Sequence, residues 1–161
     1  MKALLRTTLC TFICLIIAFS VCSCDTGTTD SVVVPEGTKN AVVIRYEVNT
    51  DKTFTATVSI EGDVEYAAVV GTLNYDKDVL TYVSHEVVDC SNVNNKEAGV
   101  LAFSQADSKN FTEDQTLFKV TFSYTEATTT KLSFTFNSGN FTNDQFNDVE
   151  YTVIGGELTL S

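Results

Sequence analysis

The sequence predicts an all-β sandwich, and three observations lead to that fold class. Threonine, valine and phenylalanine are abundant, and these residues favour strands. Apolar residues recur at every second position in segment after segment, which indicates strands with one buried and one solvated face. With 43 % hydrophobic and 19 % charged residues in 161, the composition is that of one packed domain rather than a disordered chain.

The alternating segments are short and follow one another at intervals of roughly ten residues, as in sandwiches and jelly rolls. In the clearest of them, Phe54, Ala56, Val58 and Ile60 alternate with threonine and serine. No segment requires a helix. The pattern predicts eight or nine strands, at residues 42–48, 54–60, 65–75, 79–83, 99–105, 118–124, 132–136 and 157–160, with a Gly155-Gly156 pair before the last.

The amino terminus has the order of a bacterial secretory signal. Lys2 and Arg6 precede an uncharged run at residues 7–21, and small residues follow it. This run is shorter than the ~20 apolar residues that a permanent transmembrane helix needs, so export with cleavage is favoured over an uncleaved anchor.

The sequence Val21-Cys22-Ser23-Cys24 resembles the lipobox of bacterial lipoproteins, in which a small residue precedes the cysteine that accepts diacylglycerol. Cys24 is the expected lipidation site, because Cys22 would have Val21 directly before it. We therefore expect a signal peptide at 1–23, a flexible tether at 24–40 that includes lipidated Cys24, and a sandwich domain at 41–161. The protein would then be exported and held on a membrane, facing the cell exterior.

The net charge and the residue content argue against nucleic-acid binding and against several kinds of catalytic or metal site. Without Lys2 and Arg6 the chain keeps eight basic residues against 21 acidic ones, a net charge of −13, so nucleic acid is not an expected partner. His85 is the single histidine, which argues against a histidine-based zinc site or catalytic triad. Cys90 has no basic neighbour in sequence that would stabilise a thiolate, so we expect it to be unreactive. We expect no catalytic residues, no metal site, no cofactor and no enzymatic activity.

Four motifs in order resemble the cohesin domain of cellulosome scaffolds over about residues 41–161. Gly71-Thr-Leu-Asn-Tyr-Asp-Lys-Asp-Val-Leu80 is similar to the family's strand that ends in Leu-x-Tyr-Asp and turns into a strand begun by leucine. A glycine-led strand with an acidic end follows, then a core strand and a last strand; these are Gly99-Val-Leu-Ala-Phe-Ser-Gln-Ala-Asp107, Leu117-Phe-Lys-Val-Thr-Phe122 and Gly155-Gly-Glu-Leu-Thr-Leu160.

The resemblance implies a nine-stranded jelly-roll sandwich, an architecture that carbohydrate-binding modules share. It also implies binding of a dockerin, a small helical module whose calcium ions belong to the partner, through one sheet face. The dockerin-bearing protein would be an enzyme or scaffold of polysaccharide degradation. Cohesins that receive enzyme-borne dockerins use polar contacts seven and five positions before the motif tyrosine. Here those positions are Ala68 and Val70, which suggests a divergent dockerin or a different ligand.

Strand alternation makes the same positions a candidate partner site. If Ala67, Val69, Leu73 and Tyr75 point to the core, the residues between them point outward. Apolar residues on a solvated face indicate a partner patch, unless a loop covers them. The predicted partner-binding residues are Ala68, Val70, Thr72 and Asn74.

Two alternative functions remain open, and one repeated motif has more than one interpretation. The domain would be a carbohydrate-binding module if Tyr66, Tyr82 or Tyr151 contacts polysaccharide, although the chain has no tryptophan. It would otherwise be a general interaction or adhesion sandwich of the cell envelope. Asn110-Phe-Thr-Glu-Asp-Gln is echoed by Asn140-Phe-Thr-Asn-Asp-Gln, which favours two loops with the same turn chemistry over a shared recognition or calcium loop.

Overall fold

A computed structural model describes residues 32–161, and this part of the chain folds into strands and connecting loops. The predicted signal peptide and residues 24–31 of the predicted tether, including Cys24, lie outside the described residues. In chain order the strands are β1 (Ala41–Val48), β2 (Thr53–Glu61), β3 (Tyr66–Asn74), β4 (Leu80–Val87), β5 (Asn92–Glu97), β6 (Val100–Phe111), β7 (Gln115–Tyr124), β8 (Thr128–Lys131), β9 (Ser133–Thr135), β10 (Phe141–Thr142), β11 (Thr152–Gly155) and β12 (Glu157–Leu160).

The strands form two facing sheets and one small ribbon. The first sheet has the order β11-β1-β2-β7-β4, in which β11 runs parallel to β1 and the other neighbours are antiparallel. The second has the order β10-β3-β6-β5, and β9 pairs with β3 on the same edge as β10. The ribbon is β8 with β12. This arrangement confirms the predicted all-β sandwich.

The inner faces of the two sheets share one apolar core, as the period-two alternation predicts. Phe54, Val58 and Ile60 of β2 are fully buried, while the threonines between them are half-buried on the outer side. Aromatic rings connect the sheets: the ring centroid of Phe103 lies 5.2 Å from that of Phe118, and Tyr75 lies 4.7 Å from Phe122. These contacts stabilise the sandwich beyond the area that they bury.

The expected count of nine strands is wrong in detail, because two chain segments change partners midway. The segment 128–135 pairs with β12 up to Lys131 and with β3 from Ser133. The segment 152–160 pairs first with β1 and then with β8. Turn-forming residues 137–140 separate β10 from β9. These two changes add β8 and β11, and β5 and the two-residue β10 lie outside the predicted segments, so the eight predicted segments become twelve strands.

The two glycines at the second change of partner are required by close backbone contacts. Gly155 and Gly156 have φ of 86° and 90°, in the left-handed region that disfavours other residues. A Cβ atom at Gly156 would lie 2.5 Å from the carbonyl oxygen of Leu132, whose own amide donates to the Gly156 carbonyl. The crossover thus depends on the absence of a side chain.

The described end of the predicted tether packs on the sandwich. The amide of Asp63 donates to the Thr38 carbonyl, and the amide of Asn40 donates to the Asp63 carbonyl. Asn40 is buried, and its side chain bonds the backbone of Glu65 and Glu150. Residues 38–40 therefore belong to the folded body, just before β1.

Cys90 is buried next to the core, 8 % exposed, and is the only free cysteine of the described residues. Burial raises the pKa of its thiol to about 12, and the neighbouring Asp89 carboxylate adds to the rise. Both effects disfavour the thiolate, which is the nucleophilic form.

We expect Gly156→Ala to destabilise the domain by about 3 kcal/mol or more, because left-handed strain and a backbone clash add. The free energy of unfolding in urea measures this. Gly139→Ala is the matched control, since Gly139 also has positive φ (78°) but a Cβ atom there meets nothing within 4 Å. The control should lose only about 1–2 kcal/mol. Equal losses in the two variants would contradict the steric role of the crossover.

We expect Cys90 of the folded chain to react with iodoacetamide at pH 8.5 roughly a thousand-fold more slowly than in denaturant, because a pKa near 12 instead of 9.0 leaves about that much less thiolate. Mass spectrometry of the Cys90 peptide measures the rate separately from the other cysteines. Similar rates in the folded and unfolded chain would identify Cys90 as a reactive thiol.

Candidate partner-binding face

The outer side of the β3 sheet is a continuous surface of small, uncharged residues. Residues paired across a β-ladder point to the same side, so the register defines this surface. We call it the neutral face: Ala68, Val70, Thr72 and Asn74 of β3; Val100, Ala102, Ser104 and Ala106 of β6; Asn92 and Asn94 of β5; and Ser133 and Thr135 of β9. Thr142 of β10 points to the same side next to Ala68 but is buried.

All four residues predicted for partner binding lie side by side on this face. Val70 is 45 % exposed, and no described residue covers it; Ala68, Thr72 and Asn74 are half-buried by their neighbours. The alternate residues Ala67, Val69, Leu73 and Tyr75 are buried, as the alternation predicts. Whether the outward residues bind a partner stays a prediction.

Polar side chains at one end of the face are held by hydrogen bonds. The Asn74 Nδ2 donates to Thr135 Oγ1 at 3.0 Å and to the Ser133 carbonyl at 3.4 Å, and Thr72 Oγ1 donates to Asn74 Oδ1 at 3.4 Å. These bonds link β3 to β9. They leave the amide and hydroxyls at fixed positions for a partner, while Val70, Ala102 and Ala106 form the apolar part.

Charge is excluded from the neutral face but not from the opposite sheet. Charged residues in register lie at its rim: Glu97 is opposite Val100 at the β5–β6 hairpin, and Asp148 is opposite Thr142 beside β10. The outer side of the other sheet carries an Arg45–Glu61 ion pair and a Lys119–Glu86 pair at 3.8 Å. An uncharged surface on a chain of net charge −11 is a local departure from its composition.

A buried hydrogen-bond network supports the β6 side of the face from below. Gln105 is 3 % exposed; its Oε1 accepts from Tyr66 Oη at 2.5 Å, and its Nε2 donates to the Asp89 carbonyl at 3.0 Å. Burial raises the pKa of Tyr66 far above its usual range, so the hydroxyl stays a donor. No local sequence pattern predicts this pair, because its members are 39 residues apart.

The β5 and β6 contributions to the face were also missed. Ala102 and Ser104 alternate with buried Leu101 and Phe103, so the pattern identifies them as outward. However, alternation does not say which strand lies beside β3. Only the register, with Val70 opposite Ser104 and Thr72 opposite Ala102, brings the three strands together.

The tyrosines proposed as sugar contacts are not displayed together. Tyr66 is fully buried, so its role as a possible polysaccharide contact is wrong: its ring packs between Phe111 and Phe141 instead. Tyr82 is half-buried, and its hydroxyl lies 2.6 Å from His85 Nδ1. Tyr151 is 41 % exposed.

Between residues 32 and 161, no three His, Cys, Asp or Glu side chains are grouped so that they could hold a metal ion. The same range has no helix long and apolar enough to cross a membrane.

Comparison with solved structures finds cohesins. The seventh type I cohesin of scaffoldin ScaB from Pseudobacteroides cellulosolvens aligns over 75 % of this chain and 91 % of its own, with 17 % identity and a TM-score of 0.60. A non-cellulosomal cohesin from Archaeoglobus fulgidus aligns over 83 % and 91 %, with 19 % identity and a TM-score of 0.55. The OlpA cohesin of Clostridium thermocellum, solved in complex with a dockerin, aligns over 83 % and 99 %, with 10 % identity and a TM-score of 0.55.

At these identities the structural likeness establishes the fold. No curated protein sequence matches the chain significantly. A family model described as the cohesin domain matches residues 40–159, which includes every strand described above except the last residue of β12. The chain therefore belongs to the cohesin domain family.

Proposed function

We propose that this chain is a receptor that binds a dockerin-bearing protein through its neutral face. The observation that carries the proposal is Val70, an apolar side chain that is 45 % exposed within an uncharged sheet surface of a cohesin-family domain. The centres of protein interfaces are depleted in charge, and the neutral face has the same property. No catalytic group is part of the proposal.

The chemistry of the face favours a protein partner with an apolar contact surface. Ala68, Ala102 and Ala106 are short, so a partner element is able to approach the sheet closely around Val70. Asn92 and Asn94 border this apolar patch with amides that are able to bond to a partner backbone. We infer that the dockerin presents apolar side chains where partners of other cohesins present polar ones.

Calcium dependence of binding should come from the dockerin. The resemblance implies that dockerin loops hold the metal, and the receptor contributes no metal site to the proposal. A chelator would then abolish binding by unfolding the partner.

We further propose that Cys24 is acylated and that the domain faces the exterior of the cell. The support is the order of Lys2 and Arg6, the uncharged run and the lipobox-like Val21-Cys22-Ser23-Cys24. Two acyl chains give stable membrane attachment, and the tether would lift the domain away from the bilayer. A polysaccharide-degrading enzyme or scaffold bound to the domain would then be kept near the cell surface.

We expect Val70→Glu to weaken dockerin binding by about 30-fold or more, because an unpaired charge in an interface centre costs at least 2 kcal/mol. Isothermal titration of the full chain against purified dockerin modules encoded in the same genome, with calcium and with EDTA, measures the affinity.

Val83→Glu is the matched control, since Val83 is 52 % exposed on β4 of the other sheet. It should bind like the wild type. Failure of the wild type to bind any of these dockerins would refute the proposed function. Retarded migration in polysaccharide gels, lost in a Tyr151→Ala variant, would favour the carbohydrate-binding alternative instead.

We expect Cys24→Ala to move the protein from the membrane fraction to the soluble or secreted fraction, because the acyl anchor is lost. Cell fractionation with immunoblotting measures the distribution, and mass spectrometry of the amino-terminal peptide identifies the lipid. Cys22→Ala is the control and should stay with the membrane. Release by Cys22→Ala instead would assign the anchor to Cys22.

A further inference from the structure

Phe146 is the most exposed large hydrophobic side chain of the described residues, at 89 %. It lies at the tip of a short hairpin in which β10 is bridged to Asp148 and the Val149 amide donates to the Phe141 carbonyl. An aromatic ring so far out of the core gains nothing from folding, because it stays in water. We therefore expect Phe146 to have a role other than stabilising the fold.

The tip is held rigidly by Asn143. Its Oδ1 accepts from the amides of Gln145 and Asn147, both at 3.0 Å, and its carbonyl accepts from the Phe146 amide at 3.0 Å. The Asn147 carbonyl accepts from the Asn143 amide at 3.0 Å, which closes the hairpin. The Phe146 backbone is thus fixed before any partner arrives, and a preorganised residue loses little entropy on binding.

Phe146 also has a backbone conformation that a bulky residue rarely adopts. Its φ is 62°, in the left-handed region where glycine and asparagine are favoured. Glycine or asparagine would fit this turn with less strain. The chain therefore holds an aromatic ring here at a cost in stability, a combination that occurs at binding sites.

The hairpin adjoins one end of the neutral face. Thr142 of β10 pairs with Ala68, and the Asp144 amide donates to Asn110 Oδ1 at 2.8 Å, which ties the tip to the end of β6. The echoed Asn-Phe-Thr sequences explain this joint: Phe111 and Phe141 both pack on Tyr66, with centroids 5.0 and 5.2 Å away. The repeated Asn-Phe-Thr sequences thus supply the packing beneath the hairpin that carries Phe146.

The charged residues near the tip restrict which molecules are able to bind there. Asp144 and Asp148 flank Phe146 in the sequence, and Lys109 precedes Asn110, which bonds the tip, so the hairpin carries two negative charges beside one positive neighbour. An anionic membrane surface or a second copy of this acidic chain would be repelled. A protein with an apolar recess edged by basic side chains is attracted.

We propose that Phe146 is an anchor residue for the dockerin-bearing partner, inserting its ring into an apolar recess that is edged by lysine or arginine. This inference rests on the proposed function and extends its surface from the neutral face to the β10 hairpin. Preorganised aromatic side chains that are buried on binding dominate the energies of protein interfaces. Phe146 thereby contributes to affinity and to the choice among dockerins.

Phe146→Asn and Phe146→Gly test the anchor without disturbing the turn, because both residues accept a left-handed backbone. In the full chain, titrated with the dockerin that binds the wild type, each should weaken affinity about 30-fold or more, mainly through faster dissociation. Their urea midpoints should equal or exceed that of the wild type. Phe146→Tyr should keep most of the affinity, and wild-type affinity should fall as salt is added.

Val83→Ala is the control for loss of an exposed apolar side chain on the other sheet, and it should bind normally. If the asparagine and glycine variants bind like the wild type while Val70→Glu does not, the anchor is refuted and the proposed function stands. If no dockerin binds the wild type, both are refuted. Weakening by Phe146→Tyr as large as that by Phe146→Gly would also overturn the anchor.

Discussion

The packing of aromatic rings between the two sheets is the interaction on which the rest of this structure depends. Phe103 meets Phe118 and Tyr75 meets Phe122 across the core, while Gly71 makes room in β3 for the ring of Phe136. A close-packed interior of this kind transmits strain and tolerates few changes. The inner side of β3 is therefore constrained, and its outer side is free to vary for recognition.

Strand β3 has a second constraint, because it is paired along both edges. Strand β6 covers one edge, and β9 with β10 covers the other, with the Val70 amide bonded to the Asn140 carbonyl between them. No free ladder edge is left on β3 to pair with another chain, so the proposed binding through this strand would use side chains. Small residues suit that purpose, since a partner element is able to lie close to the sheet.

The uneven distribution of charge suits both solubility and the proposed binding. An excess of acidic residues keeps such domains apart in solution, but like charges at an interface would oppose binding. In the proposed function, the neutral face avoids this conflict because its charged neighbours lie at the rim, as at Glu97 and Asp148. Charge also limits binding at the proposed anchor Phe146, because its aspartate neighbours repel acidic partners.

The sequence alone determined the fold class and the outward side of β3. Period-two alternation depends on local backbone geometry, so Ala68, Val70, Thr72 and Asn74 were identified as one set without knowledge of any neighbouring strand. The four ordered motifs likewise indicated the family that the comparison then established. The lipobox and signal are local sequence features too, and acylation at Cys24 stays a prediction.

Tertiary structure decided everything that depends on distant pairing. The division into twelve strands follows partly from changes of partner near Leu132 and Gly156, which no local pattern records, and partly from β5 and β10, which lack a clear alternation of apolar residues. Burial of Tyr66 depends on Phe111 and Phe141, 45 and 75 residues further along the chain. The exposure of Phe146 is the opposite case: an aromatic residue is ordinarily predicted to be inside, and only the hairpin's hydrogen bonds and register leave it in solvent. Long-range contacts set these features, because a residue's neighbours in space are chosen by the whole fold.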